Sequence, residues 1–261
     1  MTRASPQRHY RALFISDVHL GAAGCKAEAL LEFLSQHSAG VIYLVGDFVD
    51  LWRDSPRARW AEAHREVIRA LLRAAQNGVR IILIPGNHDA QLREFCGGSW
   101  DRIEIAAECE YVTGAGQRLL VTHGDQFDAL MWAPRRLALL GDRIRSLALR
   151  WLGLTGGQDQ RQAGPSFAGW LKATLGLIAS FERAAARAAV RRGADGVICG
   201  HIHQAADRIV GGVRYVNCGD WVRSCTAIAE TLAGEIALLR WASPAGEEEP
   251  GWAPYPAASP A

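Results

Sequence analysis

Carboxylate, imidazole and amide side chains recur along this chain in tight clusters: Asp17 with His19, Asp47 alone, Asn87 with His88 and Asp89, His123, and His201 with His203. Five of the eight histidines lie in these clusters. A lone loop histidine is usually a surface residue, and an aspartate after a strand is often a helix N-cap. Five clusters gathered on one rim are different, because unpaired carboxylates and imidazoles brought together are costly and cations are the usual compensation. Mixed nitrogen and oxygen donors suit Mn, Fe, Zn or Co rather than Ca or a thiolate-binding metal. The donors are too many for one ion, so two are expected.

Each cluster follows an apolar run that reads as a buried strand. The clearest is Val79 to Ile84, with β-branched residues at 81, 82 and 84, stopped by the turn-forming pair Pro85-Gly86. Arg11–Ser16, Val41–Val45, Arg118–Thr122 and Gly196–Cys199 repeat the arrangement. Between them, Lys26–Gln36 and Ala61–Gln76 have helical spacing, the second closed by Asn77-Gly78. Strands alternating with helices imply an open, largely parallel α/β sheet, which keeps its chemistry at the strands' carboxyl ends. Asp207–Val210, Val213–Asn217, Thr226–Glu230 and Ile236–Trp241 read as an antiparallel meander, and residues 243–261, rich in Pro, Ala and Glu, as a disordered tail.

Composition narrows the classes. With 261 residues, 49% of them hydrophobic, the chain can bury a full core. A net charge of +2 gives no case for nucleic acid. No apolar run approaches the roughly 18–20 residues of a membrane span, and the basic N-terminus lacks the apolar stretch of a signal peptide. Six cysteines without a CxxC pair read as reduced core residues, and the compartment expected is the cytoplasm.

The set DVH, GDFVD, GNHD, HGD and GHIH, in this order, resembles the calcineurin-like metallophosphoesterase family over roughly Ala12 to Trp241. The resemblance implies an α/β fold, a two-sheet αββα sandwich with helices outside. It implies two divalent cations, Mn2+ by preference. One would be held by Asp17, His19, Asp47 and His203, the other by Asp47, Asn87, His123 and His201, with Asp47 between them. His88 would be a non-ligand histidine serving the transition state, oriented by Asp89, and Asn87 would also help to place substrate. Two cations would lower the pKa of a water between them and neutralise phosphoryl charge, so no Ser or Cys nucleophile is required.

An insertion, residues 129–192, separates HGD from GHIH within a domain spanning 10–242. It carries eleven Lys and Arg against three acidic residues, a net of +8, which leaves −6 for the rest of the chain. Leu137, Leu140, Ile144, Leu147 and Trp151 form one helical stripe, and Leu171, Leu175, Ile178 and Phe181 a second. The segment is either a helical hairpin packed on the core with a solvated basic face or a cap that meets an anionic amphiphile and a membrane surface. Within the family, this insertion resembles the UDP-2,3-diacylglucosamine diphosphatase branch of lipid A biosynthesis. That implies hydrolysis of the pyrophosphate to UMP and 2,3-diacylglucosamine 1-phosphate, with peripheral contact at the inner membrane. The alternative is a phosphodiesterase or phosphatase acting on nucleotides or another phospholipid. Candidate substrate contacts are Asn87, Asp128, Lys172, Arg136 and Arg143. Asp125, Asp128 and Asp220 are as readable as caps or as holders of other site residues as they are as substrate contacts.

Overall fold

A computed structural model describes residues 7–22, 24–51, 60–128 and 167–241. The first sheet has seven strands: β1 (Arg8–Ile15), β2 (His37–Val45), β3 (Arg80–Ile84), β4 (Ser99–Trp100), β5 (Ile103–Ile105), β11 (Thr226–Glu230) and β12 (Ile236–Arg240), in spatial order β12-β11-β1-β2-β3-β5-β4. The second has five: β6 (Cys109–Val112), β7 (Arg118–Val121), β8 (Gly196–Cys199), β9 (Ala206–Val210) and β10 (Val213–Asn217), in order β6-β7-β8-β10-β9. Helices α1 (Ala27–Gln36) and α2 (Glu62–Gln76) cover the first sheet, and α3 (Phe167–Arg191) covers the second.

Alternation along the strands builds the layers. Leu13, Ile15, Ile42, Leu44 and Ile81 face α1 and α2, meeting Leu30, Phe33, Val67 and Leu71. Ala12, Phe14, Tyr43, Val45, Ile82 and Ile84 face the other sheet, meeting Tyr111, Leu119, Val121, Ile198 and Val216. Phe14 stacks on Tyr43 at 4.7 Å and meets Tyr111 edge-on at 5.2 Å. Each such fully buried side chain stabilises the fold by roughly 1.5–3 kcal/mol. Strands apolar on both faces are what a parallel sheet sandwiched between layers requires.

Register sets the rim. β1, β2 and β3 run parallel, with Ile15 beside Leu44 and Val45 beside Ile84, so their carboxyl ends lie at one level. β7, β8 and β10 are likewise parallel, pairing Val121 with Ile198 and Cys199 with Asn217. The expected single rim is therefore two: three motif loops leave the first sheet and two leave the second, facing across the sandwich.

Two expectations are corrected. The four C-terminal strands are not one meander: β9–β10 is a hairpin of the second sheet, whereas β11–β12 joins the first through β1. The crossing is made at Gly219-Asp220-Trp221, whose tryptophan is fully buried in the α1/α2 core. Nor does the 129–192 segment stand wholly apart as a cap. The C-terminal half of α3 is a core helix, because Phe181, Ala185, Ala186 and Ala189 lie against Leu120, Val197 and Tyr215 of the second sheet. Residues 129–166, with Arg136, Arg143 and the first apolar stripe, and the tail from 242 lie outside the described residues. No helix among the described residues is long and apolar enough to cross a membrane.

Candidate metal centre

The loops after β1 and β2 continue to pair beyond the strands. The Asp17 amide donates to the Gly46 carbonyl (3.1 Å), His19 to Asp47 (2.9 Å) and Leu20 to Phe48 (2.9 Å). This holds Asp17, His19 and Asp47 in left-handed backbone, with φ of 52°, 54° and 51°. His201 and His203 share that region at 71° and 54°. Seven described non-glycine residues have positive φ, and these five are among them. Such conformations cost about 1 kcal/mol or more each and persist where the surroundings enforce them, commonly at functional sites.

Two clusters of donors result, Asp17, His19 and His203, and Asp47, His123 and His201, and a third group, His19, Asp47 and His88, joins them, each with its donor atoms within 4.8 Å of one another. Asp47 lies between the two clusters. Its Oδ1 accepts the His88 amide at 2.8 Å, which turns Oδ2 to 3.8 Å from His19 Nε2 and 3.5 Å from His123 Nε2. Asn87 Oδ1 comes to 3.3 Å from His123 Nε2. Asp17 is used in the same way: Oδ2 accepts the His201 amide (2.9 Å) while Oδ1 lies 3.3 Å from His203 Nε2. Glycines make the room, since a Cβ on Gly200 would sit 2.3 Å from Asp17 Oδ2.

The residues fit divalent cations. Asp17 Oδ1 and His19 Nε2 are buried and lack a hydrogen-bond partner, a costly arrangement that a shared cation relieves. Burial pushes the His19 pKa down, against the pull of Asp47 and Asp17, so its ring is neutral and able to donate a lone pair. His123 Nδ1 donates to the Val45 carbonyl (3.1 Å), which directs Nε2 inward, the usual arrangement of a ligating histidine.

Burial alone would also lower the His123 pKa, but its contact with Asp47 and the charges of Asp17 and Asp47 overcome this and hold it at about 9. A cation taken up beside Nε2 must displace that proton. Apparent Mn2+ affinity is therefore expected to fall about tenfold for each pH unit below about 9, which calorimetry in buffers of different ionisation heat reads as released protons. The sign for cation-free folding is opposite: this proton's contribution to stability is complete below about 6.5 and is lost as pH rises through about 9.

One expected role is corrected. Asp89 does not orient His88. Its buried carboxylate accepts the amides of Gly86 (2.6 Å), Phe48 (2.8 Å) and Val49 (3.2 Å), stitching the second and third motif loops together. The carboxylate facing His88 is Asp50, whose Oδ1 lies 3.3 Å from Nδ1. Asp50 ends the GDFVD motif, and that spacing was its only signal in the sequence. The His88 ring stands edge-on to His19 at 4.6 Å.

Three acids open between readings now have partners. Asp128 Oδ2 is 3.2 Å from His201 Nε2, so it is placed to hold a histidine. Asp125 pairs with Arg93 at 2.8 Å, and the same guanidinium nitrogen donates to the Pro85 carbonyl (3.4 Å), a link between the Asn87 and His123 loops that sequence reasoning missed. Asp220 caps its own turn and faces His203. Lys172 falls in the first turns of α3, where side chains are not described.

The calcineurin-like phosphoesterase family model matches residues 10–205, and all five motif loops lie within that span. The chain belongs to this family. It is a metal-dependent phosphoester hydrolase. Among curated relatives of the phosphoesterase is a UDP-2,3-diacylglucosamine hydrolase of Edwardsiella ictaluri, 32% identical over 149 residues, covering 54% of this chain and 53% of that one. A UDP-2,3-diacylglucosamine hydrolase of Neisseria meningitidis serogroup B is 26% identical over 221 residues, 80% of this chain and 89% of that one. The chain thus spans about half of the first relative's length and about nine-tenths of the second's. Solved structures resembling the phosphoesterase include a single-mutant Vps29 from Entamoeba histolytica, 12% identical, with a TM-score of 0.43 over 88% of this chain and 97% of that one. The phosphoesterase Yfce from E. coli is 16% identical, with a TM-score of 0.42 over 88% and 99%.

Proposed function

We propose that this phosphoesterase hydrolyses the pyrophosphate of UDP-2,3-diacylglucosamine, yielding UMP and 2,3-diacylglucosamine 1-phosphate. The observation that carries the chemistry is the convergence of Asp47 Oδ2 with His19 and His123 beside the orphaned Asp17 Oδ1. The names of the curated relatives support the substrate. Asp17, His19, Asp47 and His203 would hold one divalent cation, and Asp47, Asn87, His123 and His201 the other, with Mn2+ the expected metal. Bound there, the cations supply Lewis-acid charge and an activated water.

The chain's own groups do the rest. Asn87 Oδ1 belongs to the ligand set, and its amide nitrogen is assigned to the phosphoryl oxygens. His88, with Nδ1 directed at Asp50, is assigned to hold a proton on Nε2 and pass it to the leaving phosphate oxygen. A small pocket lined by Phe127, Asp128, Leu177, Ser180 and Phe181 lies against His201, on which Phe181 stacks at 5.9 Å.

The test is hydrolysis with Mn2+ of UDP-2,3-diacylglucosamine beside bis-p-nitrophenyl phosphate and a cyclic nucleotide. The proposal expects kcat/KM on the lipid nucleotide to exceed both by at least roughly 10²-fold, because binding energy from remote substrate groups is spent on the reacting centre. Comparable or higher turnover of the cyclic nucleotide would sink it in favour of a nucleotide phosphodiesterase. The reading includes contact with an anionic membrane surface, supported by Arg183, Arg187 and Arg191, exposed at helical spacing on α3. Sedimentation with anionic vesicles that fails at low ionic strength would remove that part.

A further inference from the structure

The stretch Gly219-Asp220-Trp221 contains none of the seven candidate ligands, yet all three residues touch one half of the site. Ser16 Oγ donates to the Gly219 carbonyl (2.9 Å), and the Trp221 amide donates to the Asp17 carbonyl (3.1 Å). Asp220, only 1% exposed, presents Oδ2 at 3.9 Å from His203 Nδ1. The opposite ring nitrogen of His203 lies 3.3 Å from Asp17 Oδ1, so this imidazole is suspended between two carboxylates.

The Asp220 carboxylate is itself fixed. Its Oδ1 accepts the amides of Val222 (2.8 Å), Arg223 (2.5 Å) and Ser224 (3.3 Å), while Ser224 Oγ donates to Oδ2 at 3.0 Å. Trp221, fully buried against Phe33, anchors the far end of the stretch. The other half of the site is supported elsewhere: Val45 holds His123, the His88 amide holds Asp47, and Asp128 meets His201.

We propose that Asp220 is a positioning residue for one cation only, the one assigned to Asp17, His19 and His203, and that this crossing stretch is the dedicated support of that half. The proposal rests on the two-cation reading above. A carboxylate behind a ligating imidazole fixes its tautomer and orientation and raises its basicity, and its removal typically costs 10–100-fold in metal affinity.

Asp220→Asn is the cleanest probe. Its amide oxygen can keep the three backbone contacts, while the negative charge facing His203 is lost. Cation-free full-length protein is titrated with Mn2+ by calorimetry and by electron paramagnetic resonance, with thermal melting of the same sample. The expected result is two sites in the wild type and, in the variant, one site weakened about 10–100-fold with the other within twofold. Ser224→Ala, which removes the donor to Oδ2 together with the hydroxyl that accepts the Asp220 amide (3.2 Å) and meets Thr226 Oγ1 (3.0 Å), is expected to weaken the same site severalfold and serves if Asp220→Asn does not fold. Equal weakening of both sites, or of neither, with two sites in the wild type overturns the positioning role. Fewer than two Mn2+ bound by the wild type overturns the two-cation reading and the proposal with it.

Discussion

Alanine at position 88 is expected to lower kcat by roughly 10²–10⁴-fold while two Mn2+ ions stay bound, the range that general acid catalysis supplies. His88 is only partly buried, its side chain 25% exposed, so its loss should disturb packing little. The informative comparison is with the two aspartates in reach. Asp50→Asn keeps the size of the group facing Nδ1 but removes its charge, and it should reproduce part of the His88→Ala deficit. Asp89→Ala should act on the fold instead, because it strands the amides of Gly86, Phe48 and Val49, each worth about 1–3 kcal/mol when buried without a partner. Steady-state rates, bound manganese and melting temperature on the three variants separate these outcomes. Wild-type kcat in His88→Ala would end the proton-transfer role, and a stable Asp89→Ala with a kcat defect alone would restore the role first expected of Asp89.

Gly86→Ala is the second large effect. Its Cβ would lie 2.2 Å from Asp47 Oδ1, 2.6 Å from the Asp47 amide nitrogen and 2.8 Å from His123 Cδ2. Neither a backbone nitrogen nor two fully packed side chains can yield cheaply, and overpacking typically costs 1–3 kcal/mol. The groups displaced are the shared carboxylate and a ligand of one position, so both cations should bind more weakly, by roughly 10²-fold or more, with activity falling further. Metal content after dialysis against a fixed Mn2+ concentration measures it. Retention of both ions at wild-type affinity would show that Asp47 is not the shared ligand.

The motif loops are legible in sequence because two signals coincide there: a strand apolar on both faces, and a turn that leaves polar groups at its end. Asp89 was misread for a local reason. Adjacent residues in a turn point apart, so the carboxylate beside His88 in sequence turned to the backbone, and the partner came from Asp50, 38 residues earlier. Period-two alternation marks β9 to β12 as strands but carries no information on which sheet each joins. That choice is made by Trp221, which must be buried and draws the chain across. Alanine does not register in a search for leucine and aromatic stripes, yet Ala185, Ala186 and Ala189 are what let α3 lie close on the second sheet. Arg93 was invisible because only the fold brings Pro85 and Asp125 to it.

Phe14, Tyr43 and Tyr111 interlock where the sandwich halves mate, and none of the three is itself a candidate ligand. Since three ligand-bearing loops hang from one half and two from the other, a slip along that seam would pull the pocket open without touching a single donor atom. Catalytic competence in this protein is thus also a gauge of how faithfully two β-layers are clamped face to face.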